Sequence, residues 1–356
     1  MISLGSLFGR QVAPLLGIDI SSSSVKLVEL GREKSGGYVL ERCMMEPLEK
    51  GWIIDGNIEK FDEVADAVKR LIKRCGSRTK NVAMALPASA VITKRIVLPG
   101  GLSDQELEVQ VESEANQYIP FSLEEVSLDF CVIGPSLSSQ GDVDVLIAAS
   151  RKDRVQDRQG LAEAAGLVPV VLDIESHASR LAASRVMESL PKDSLVALFE
   201  IGAENTSLKV LSGQELLYDR DQSFGGSQLT QMISRQYGFS FEEAELKKIS
   251  GDLPADYEST LLPAFVDNVA QEIGRALQYF FTSTPHHKVH YLMLAGGTAA
   301  LPGLKDKVLQ HTNFATSIVN PFEGMQLGSS VRENRLRREA PIYLTACGLA
   351  LRRFPQ

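Results

Sequence analysis

Asp19 closes the apolar run LLGIDI, and four serines follow it before the chain turns apolar again at VKLVEL. A short polar segment between two β-rich runs makes a hairpin turn. Serine hydroxyls and backbone N–H groups beside a carboxylate also suit a phosphate chain and its Mg²⁺. The run alone leaves both readings open. A second acid stands in a similar setting, Glu200 in LVALFEIGAENTSLKVL, and superposing the two segments puts Asp19 over Glu200, Ile20 over Ile201, Leu27 over Leu208 and Leu30 over Leu211. The spacing of about 180 residues is too long for a solenoid repeat and fits a duplicated α/β domain. A third element, Ala295-Gly296-Gly297-Thr298, follows the apolar stretch VHYLMLA, and Pro302-Gly303 opens the next helix. Glycines there let backbone approach a ring or a phosphate closely, or simply turn the chain.

The elements that must position these residues alternate between strands and helices, as in an α/β core. Between Asp62 and Lys73, Val64, Ala65, Val68, Leu71 and Ile72 recur at helical spacing, and Gly76 stops the helix. NVAMALP and AVITKRIVLP read as strands. Ser103 with Glu106 makes a capping box for the acidic stretch up to Tyr118, which Pro120 ends. VSLDFCVIG and DVDVLIAAS are alternating strands, Lys152 to Ala165 a basic helix, and VPVVLDI an apolar strand, so residues 82 to 174 look like a compact α+β insertion. LVALFEI, TSLKVL and ELLYDRDQSF follow as strands, then a helix opened by Gly225-Gly226 and a largely helical stretch from 228 to 281. PIYLTACGLALRRF reads as a closing helix.

Composition excludes several classes. At 356 residues, with 44% apolar and 23% charged side chains, the chain has room for two domains with sizeable cores. A net charge of −8 gives no basic footprint for nucleic acid or an anionic membrane surface. The four cysteines are widely separated and form no Cys-x-x-Cys pair, which fits a reducing cytoplasm. Arg10 divides the mildly apolar N-terminal stretch, and no segment reaches about 18 uncharged apolar residues, so no direct membrane insertion is expected. His286, His287 and His290 do not read as a metal site, because adjacent histidines on an extended segment point apart. Tyr118 and Phe121, beside a helix end in the sequence YIPF, are either partner anchors or core.

The order of motifs resembles the actin, Hsp70 and sugar-kinase superfamily. GIDISSSSVK matches its first phosphate loop, LDIESHASRLAA its first connecting helix, FEIGAENTSL its second phosphate loop, LAGGTAALPGL its adenosine loop and TACGLALR its second connecting helix. The early α+β insertion is FtsA-like. GIDISSSSVKLVEL, NVAMALPASAVITK, EANQYIPFSLEEVSLDF, DVLIAASRK, and NPFEGMQLG through ACGLALR are similar to the PilM family of type IV pilus assembly. The resemblance implies duplicated, ribonuclease H-like α/β domains around an ATP cleft. It implies subdomains at 1–81 with 166–190, to which the helix 340–356 returns; an insertion at 82–165; 191–227 with 288–339; and 228–287. It also implies a cytoplasmic protein, recruited to the inner membrane by binding the N-terminal cytoplasmic peptide of PilN and linking it to a pilus motor ATPase and platform proteins. Self-association is allowed by the fold and left open by the sequence.

On the same resemblance, ATP is met by Ser21, Ser22, Ser23, Ser24, Lys26, Gly202, Ala203, Glu204, Gly296, Gly297 and Thr298, and Asp19 and Glu200 position Mg²⁺ through its waters. Lys248, in EEAELKKISG, either reaches the ribose or belongs to a solvated helix face. Two departures bear on rate. Ser21 stands where the superfamily usually has glycine, and Glu200-Ile201-Gly202-Ala203-Glu204 replaces Asp-x-Gly-x-Gly. A carboxylate displaced by about 1 Å costs about 100-fold in rate, so weak or absent hydrolysis is expected. A small-molecule kinase of the same superfamily lacks a convincing base here, and a division tether needs a terminal amphipathic helix where this sequence reads LALRRFPQ.

Overall fold

Apolar, β-branched runs broken by polar turns set the first three strands, β1 (Leu16–Ile20), β2 (Ser24–Arg32) and β3 (Tyr38–Pro47). A two-strand ladder, β4 (Ile53–Ile54) with β5 (Asn57–Ile58), leads into α1 (Phe61–Cys75), whose Val64, Ala65, Ala67, Val68 and Leu71 form the buried stripe expected from their spacing. Gly76, at φ 65°, ends it. The computed structural model describes residues 13–354 apart from Ser35 and Leu137.

Next come β6 (Asn81–Leu86), β7 (Val91–Pro99), α2 (Asp104–Tyr118), β8 (Val126–Pro135), β9 (Asp142–Arg151), α3 (Lys152–Ala164) and β10 (Val168–Ile174). The capping box at Ser103 is formed as its sequence signals: the Ser103 hydroxyl accepts from the Glu106 N–H, and the Glu106 carboxylate accepts from the Ser103 N–H at 2.8 Å. α4 (Glu175–Met187), β11 (Leu195–Ile201), β12 (Thr206–Ser212), β13 (Glu215–Gln222), α5 (Ser227–Tyr237), α6 (Phe241–Ser250) and α7 (Leu261–Ser283) follow. The chain continues through β14 (Tyr291–Ala295), α8 (Leu304–Thr312), β15 (Ala315–Ile318), β16 (Gln326–Leu327), α9 (Glu333–Glu339) and α10 (Leu344–Leu351). The closing helix is shorter than PIYLTACGLALRRF suggests. Pro341 lies in a 3₁₀ turn over Ala340–Tyr343, and the α-helix begins only at Leu344.

Two compact units result. Of the described residues, the first takes 13–19, Lys26–Met45 and 176–354. Here β1, β2, β3 and β16 are neighbours in that order, and a five-stranded sheet runs β13-β12-β11-β14-β15, with β11 antiparallel to β12 and parallel to β14. Each of the two acid-bearing segments is therefore the inner pair of a three-strand meander. One core of this unit gathers Phe199, Phe265, Leu277 and Phe280 under the five-stranded sheet; another gathers Leu198, Met293, Tyr343 and Cys347.

The second unit takes Ile20–Val25 and Glu46–Glu175. In it β6 pairs in parallel with β10, while β7, β9 and β8 form a separate antiparallel sheet on which Leu107, Val111 and Ala115 of α2 pack. VPVVLDI forms the expected apolar strand, with Val168 and Val170 of β10 exposed because β10 ends its sheet. Among the described residues no helix is long and apolar enough to cross a membrane.

Candidate functional site: two acid–lysine hairpins and a glycine-lined cup

The first hairpin is closed at its turn by Ser21, whose N–H and Oγ both donate to the Ser24 carbonyl, at 3.0 and 3.1 Å. Asp19 is buried at the end of β1, and Lys26 Nζ donates to its Oδ2 at 2.9 Å. The ammonium read as a phosphate lysine is thus the partner of the acid seven residues before it.

The second hairpin repeats this pairing with a lysine that sequence comparison of the two segments does not align. Glu200 faces Ser207 across the β11–β12 ladder, and Lys209 lies two residues further on the same face. Lys209 Nζ donates to Glu200 Oε1 and to Ser207 Oγ, both at 2.6 Å, and its side chain is only 3% exposed. Thr345, at the start of α10, donates to Glu200 Oε2 at 3.4 Å. Asp221 follows in register on β13, opposite Ser207. Its carboxyl is pushed above the ordinary range, by desolvation first, with Asp219 and Glu200 adding to the rise and Lys209 opposing it.

Beyond Glu200 the chain turns tightly, with the Gly202 N–H donating to the Asn205 carbonyl at 2.9 Å. The start of α5 docks onto this turn: Gly226 N–H donates to Gly202 O at 2.9 Å and Ser227 N–H to Ala203 O at 2.8 Å. Glu204 accepts from the Ser227 hydroxyl at 2.9 Å, so its negative charge sits by the helix N-terminus. The third motif joins the same place. Gly296, at φ 86°, donates its N–H to Pro341 O, and a Cβ on it would lie 2.4 Å from Ile201 O, so only glycine fits. Gly297 is exposed at the mouth of this turn, and Thr298 Oγ1 donates to Gly202 O at 3.3 Å.

Lys248 completes the cup. Its Nζ donates to Thr230 Oγ1 at 2.7 Å and to Glu245 Oε2 at 2.6 Å, and reaches the Gly226 carbonyl at 3.5 Å. Of its two readings, the solvated helix face is the one the structure sets aside. A Cβ on Gly226 would come within 2.7 Å of Thr298 Oγ1 and 4.0 Å of Lys248 Nζ, so the bare backbone there lets the three segments pack closely. Gly202, Ala203, Glu204, Lys248, Gly296 and Thr298 are brought together. Gly226, Thr230, Glu245, Lys209 and Thr345 were not foreseen as members. The Glu-x-x-Lys spacing on α6 and the Gly225-Gly226 pair before α5 were the available signals for two of them, Glu245 and Gly226.

The donor set discriminates between ligands. The Lys248 ammonium, beside close-packed glycine turns and the exposed Gly297, is a donor suited to a ribose or phosphate oxygen. Glu200 already carries a cation at its carboxylate, the Lys209 ammonium, so a water-bound Mg²⁺ there would have to share its oxygens with Lys209 and Thr345. Among the described residues no group of three or more His, Cys, Asp or Glu side chains is arranged to hold a metal ion. In the second unit, Tyr118 and Phe121 are exposed rather than core, with Lys94 Nζ 4.8 Å and the Arg151 guanidinium 5.7 Å from their ring centroids; Ile119 between them is the buried residue.

Paired meanders with an acid at each first strand's end, and a glycine turn docked on the second, define an actin-like fold. The fold is shared with the ethanolamine utilization protein EutJ from Carboxydothermus hydrogenoformans, at TM-score 0.56 and 16% identity over 98% of this chain and 95% of that one. The chain belongs to the type IV pilus assembly protein PilM family, whose model matches residues 17–354. The solved PilM-PilN type IV pilus biogenesis complex is similar over 98% of this chain and 100% of the other, with TM-score 0.79 and 29% identity. The cell division protein FtsA of Enterococcus hirae is 24% identical over 341 residues, 82% of this chain and 74% of that protein.

Proposed function

We propose that this chain is an ATP-binding adaptor of the type IV pilus assembly platform, which binds the N-terminal cytoplasmic peptide of PilN and links it to a motor ATPase. The observation that carries this is the similarity to the PilM-PilN complex across nearly the whole chain. In this reading the adaptor works in the cytoplasm and reaches the inner membrane through its partner, and residues 82–165 act as an inserted subdomain.

ATP fits the cup of the first unit. Lys248, Gly226, Gly296, Gly297 and Thr298 hold the nucleoside end, and the turn at Gly202, Ala203 and Glu204 enters as the second phosphate loop on its resemblance, since the N–H groups of Gly202, Gly226 and Ser227 already donate to protein carbonyls. The first hairpin, with Asp19, Ser21, Ser22, Ser23, Ser24 and Lys26, enters the proposal as a phosphate loop on its resemblance alone. Bound ATP would supply a charged, cleavable polyphosphate. The residues present favour holding it over cleaving it: Glu200 is ion-paired with Lys209 and accepts from Thr345, so its carboxylate is engaged by protein donors and not given over to a water. Hydrolysis is therefore weak or absent.

Titrating the N-terminal peptide of the cognate PilN onto the purified chain by calorimetry tests the partner assignment. Saturable one-to-one binding supports it, and no heat at high peptide concentration contradicts it.

A further inference from the structure

Resting on the proposed nucleotide-binding role, one disagreement carries further: the second hairpin has its own cation where that role calls for a metal. Lys209 is 2% exposed, lies on the central pair of the five-stranded sheet, and holds Glu200 Oε1 and Ser207 Oγ at 2.6 Å each. The other Glu200 oxygen is held by Thr345. The charged groups facing this lysine are Glu200 on β11 and, on β13, Asp219 directly opposite in register and Asp221 diagonally across. An ammonium fixed in this way by its strand is always present, whereas a divalent ion must be recruited from solution with its waters. Charges a few ångströms apart act strongly on each other inside a protein, so whichever cation sits at Glu200 dominates how a polyphosphate experiences that acid.

We propose that Lys209 is a positioning residue that occupies Glu200 in place of a metal-bound water, so that the site takes its nucleotide with little dependence on Mg²⁺. Glu200 is then neutral toward the phosphates without a metal. Without Lys209 it would be an uncompensated carboxylate at the phosphate end of the cup, tolerable to a nucleotide only when a divalent ion comes with it. A merely structural lysine would alter the melting temperature of the protein and leave the metal dependence unchanged.

The test is calorimetric titration of a non-hydrolysable ATP analogue in excess Mg²⁺ and again in EDTA, using the full chain, Lys209→Met, and the double variant Lys209→Met with Glu200→Gln. The wild type is expected to change affinity by less than about threefold between the two conditions, and Lys209→Met by about tenfold or more. The double variant, which lacks both charges, is expected to return to the small wild-type change. Its folding does not depend on leaving one buried charge unpaired. A wild type that loses more than about tenfold affinity in EDTA overturns this proposal while leaving nucleotide binding in place. A Lys209→Met variant with the wild-type metal dependence overturns it too, as does a double variant that keeps a steep one. No binding in either condition by the wild type overturns both this proposal and the nucleotide-binding role beneath it.

Discussion

Thr298 Oγ1 donates to the carbonyl of Gly202 at 3.3 Å, across 96 residues of sequence. That bond ties the glycine turn after β14 to the tip of the second acid hairpin, and Gly296 makes the approach possible. Gly296→Ala would place a methyl group 2.4 Å from Ile201 O at a backbone angle that L-residues avoid. The expected loss is about 2 kcal/mol or more of stability, read by urea denaturation. A loss within about 0.5 kcal/mol would mean that the turn and the hairpin are not packed as described.

Lys248 is held by Thr230 and Glu245 with its side chain 17% exposed. Lys248→Met is expected to weaken ATP binding about tenfold, in line with the loss of a charge-assisted hydrogen bond. Unchanged affinity in a calorimetric titration would remove Lys248 from the nucleotide site.

How much of this was legible in the sequence follows from the range of the interactions involved. The two hairpins and the acidic helix were readable because alternation, turn composition and the Ser103–Glu106 box act over a few residues. Lys209 was not. Its pairing with Glu200 depends on cross-strand register, in which Glu200 meets Ser207 and Lys209 reaches over diagonally, and nothing within either strand records that register. Lys248 gave two readings because a lysine on a charged helix has the same local pattern whether its head meets water or Thr230. Tyr118 and Phe121 were equally undecided. Which of three adjacent apolar residues turns inward is set where Ile119 meets the sheet, and sequence spacing cannot choose among them.

A pH dependence follows from Asp221. Its folded-state pKa is raised, by desolvation first and then by Asp219 and Glu200 against the opposing effect of Lys209, so it lies above the unfolded value. Stability from this group is complete below the ordinary carboxylate range and is lost as pH rises through the folded value. Because Asp221 lies at the exposed face of β13, solvent screening keeps the effect small: Asp221→Asn is expected to be slightly more stable than the wild type near pH 7, with the difference closing below about pH 4. Denaturation midpoints that differ equally at both pH values would contradict this.

The thiols should differ sharply in reactivity. Cys131 is exposed on β8, whereas Cys347 is fully buried in α10, and burial pushes its thiol up to about 12. A brief treatment with a thiol-specific alkylating reagent, followed by peptide mass spectrometry, should modify Cys131 and spare Cys347 until denaturant is added. Early labelling of Cys347 in the native protein would show that α10 does not pack as described.

In the proposed function nucleotide and partner bind one adaptor, and we expect the two equilibria to be linked. Linkage requires the two ligands to alter each other's affinity by the same factor, commonly 5-fold or more where a conformational change connects them. The most direct measurement is the affinity of the PilN N-terminal peptide for the full chain with and without saturating ATP, with Asp19→Ala as the nucleotide-site control. The account predicts tight binding that shifts by about fivefold or more on adding ATP, and a shift abolished by Asp19→Ala. Peptide affinity that is identical with and without ATP in the wild type would contradict it.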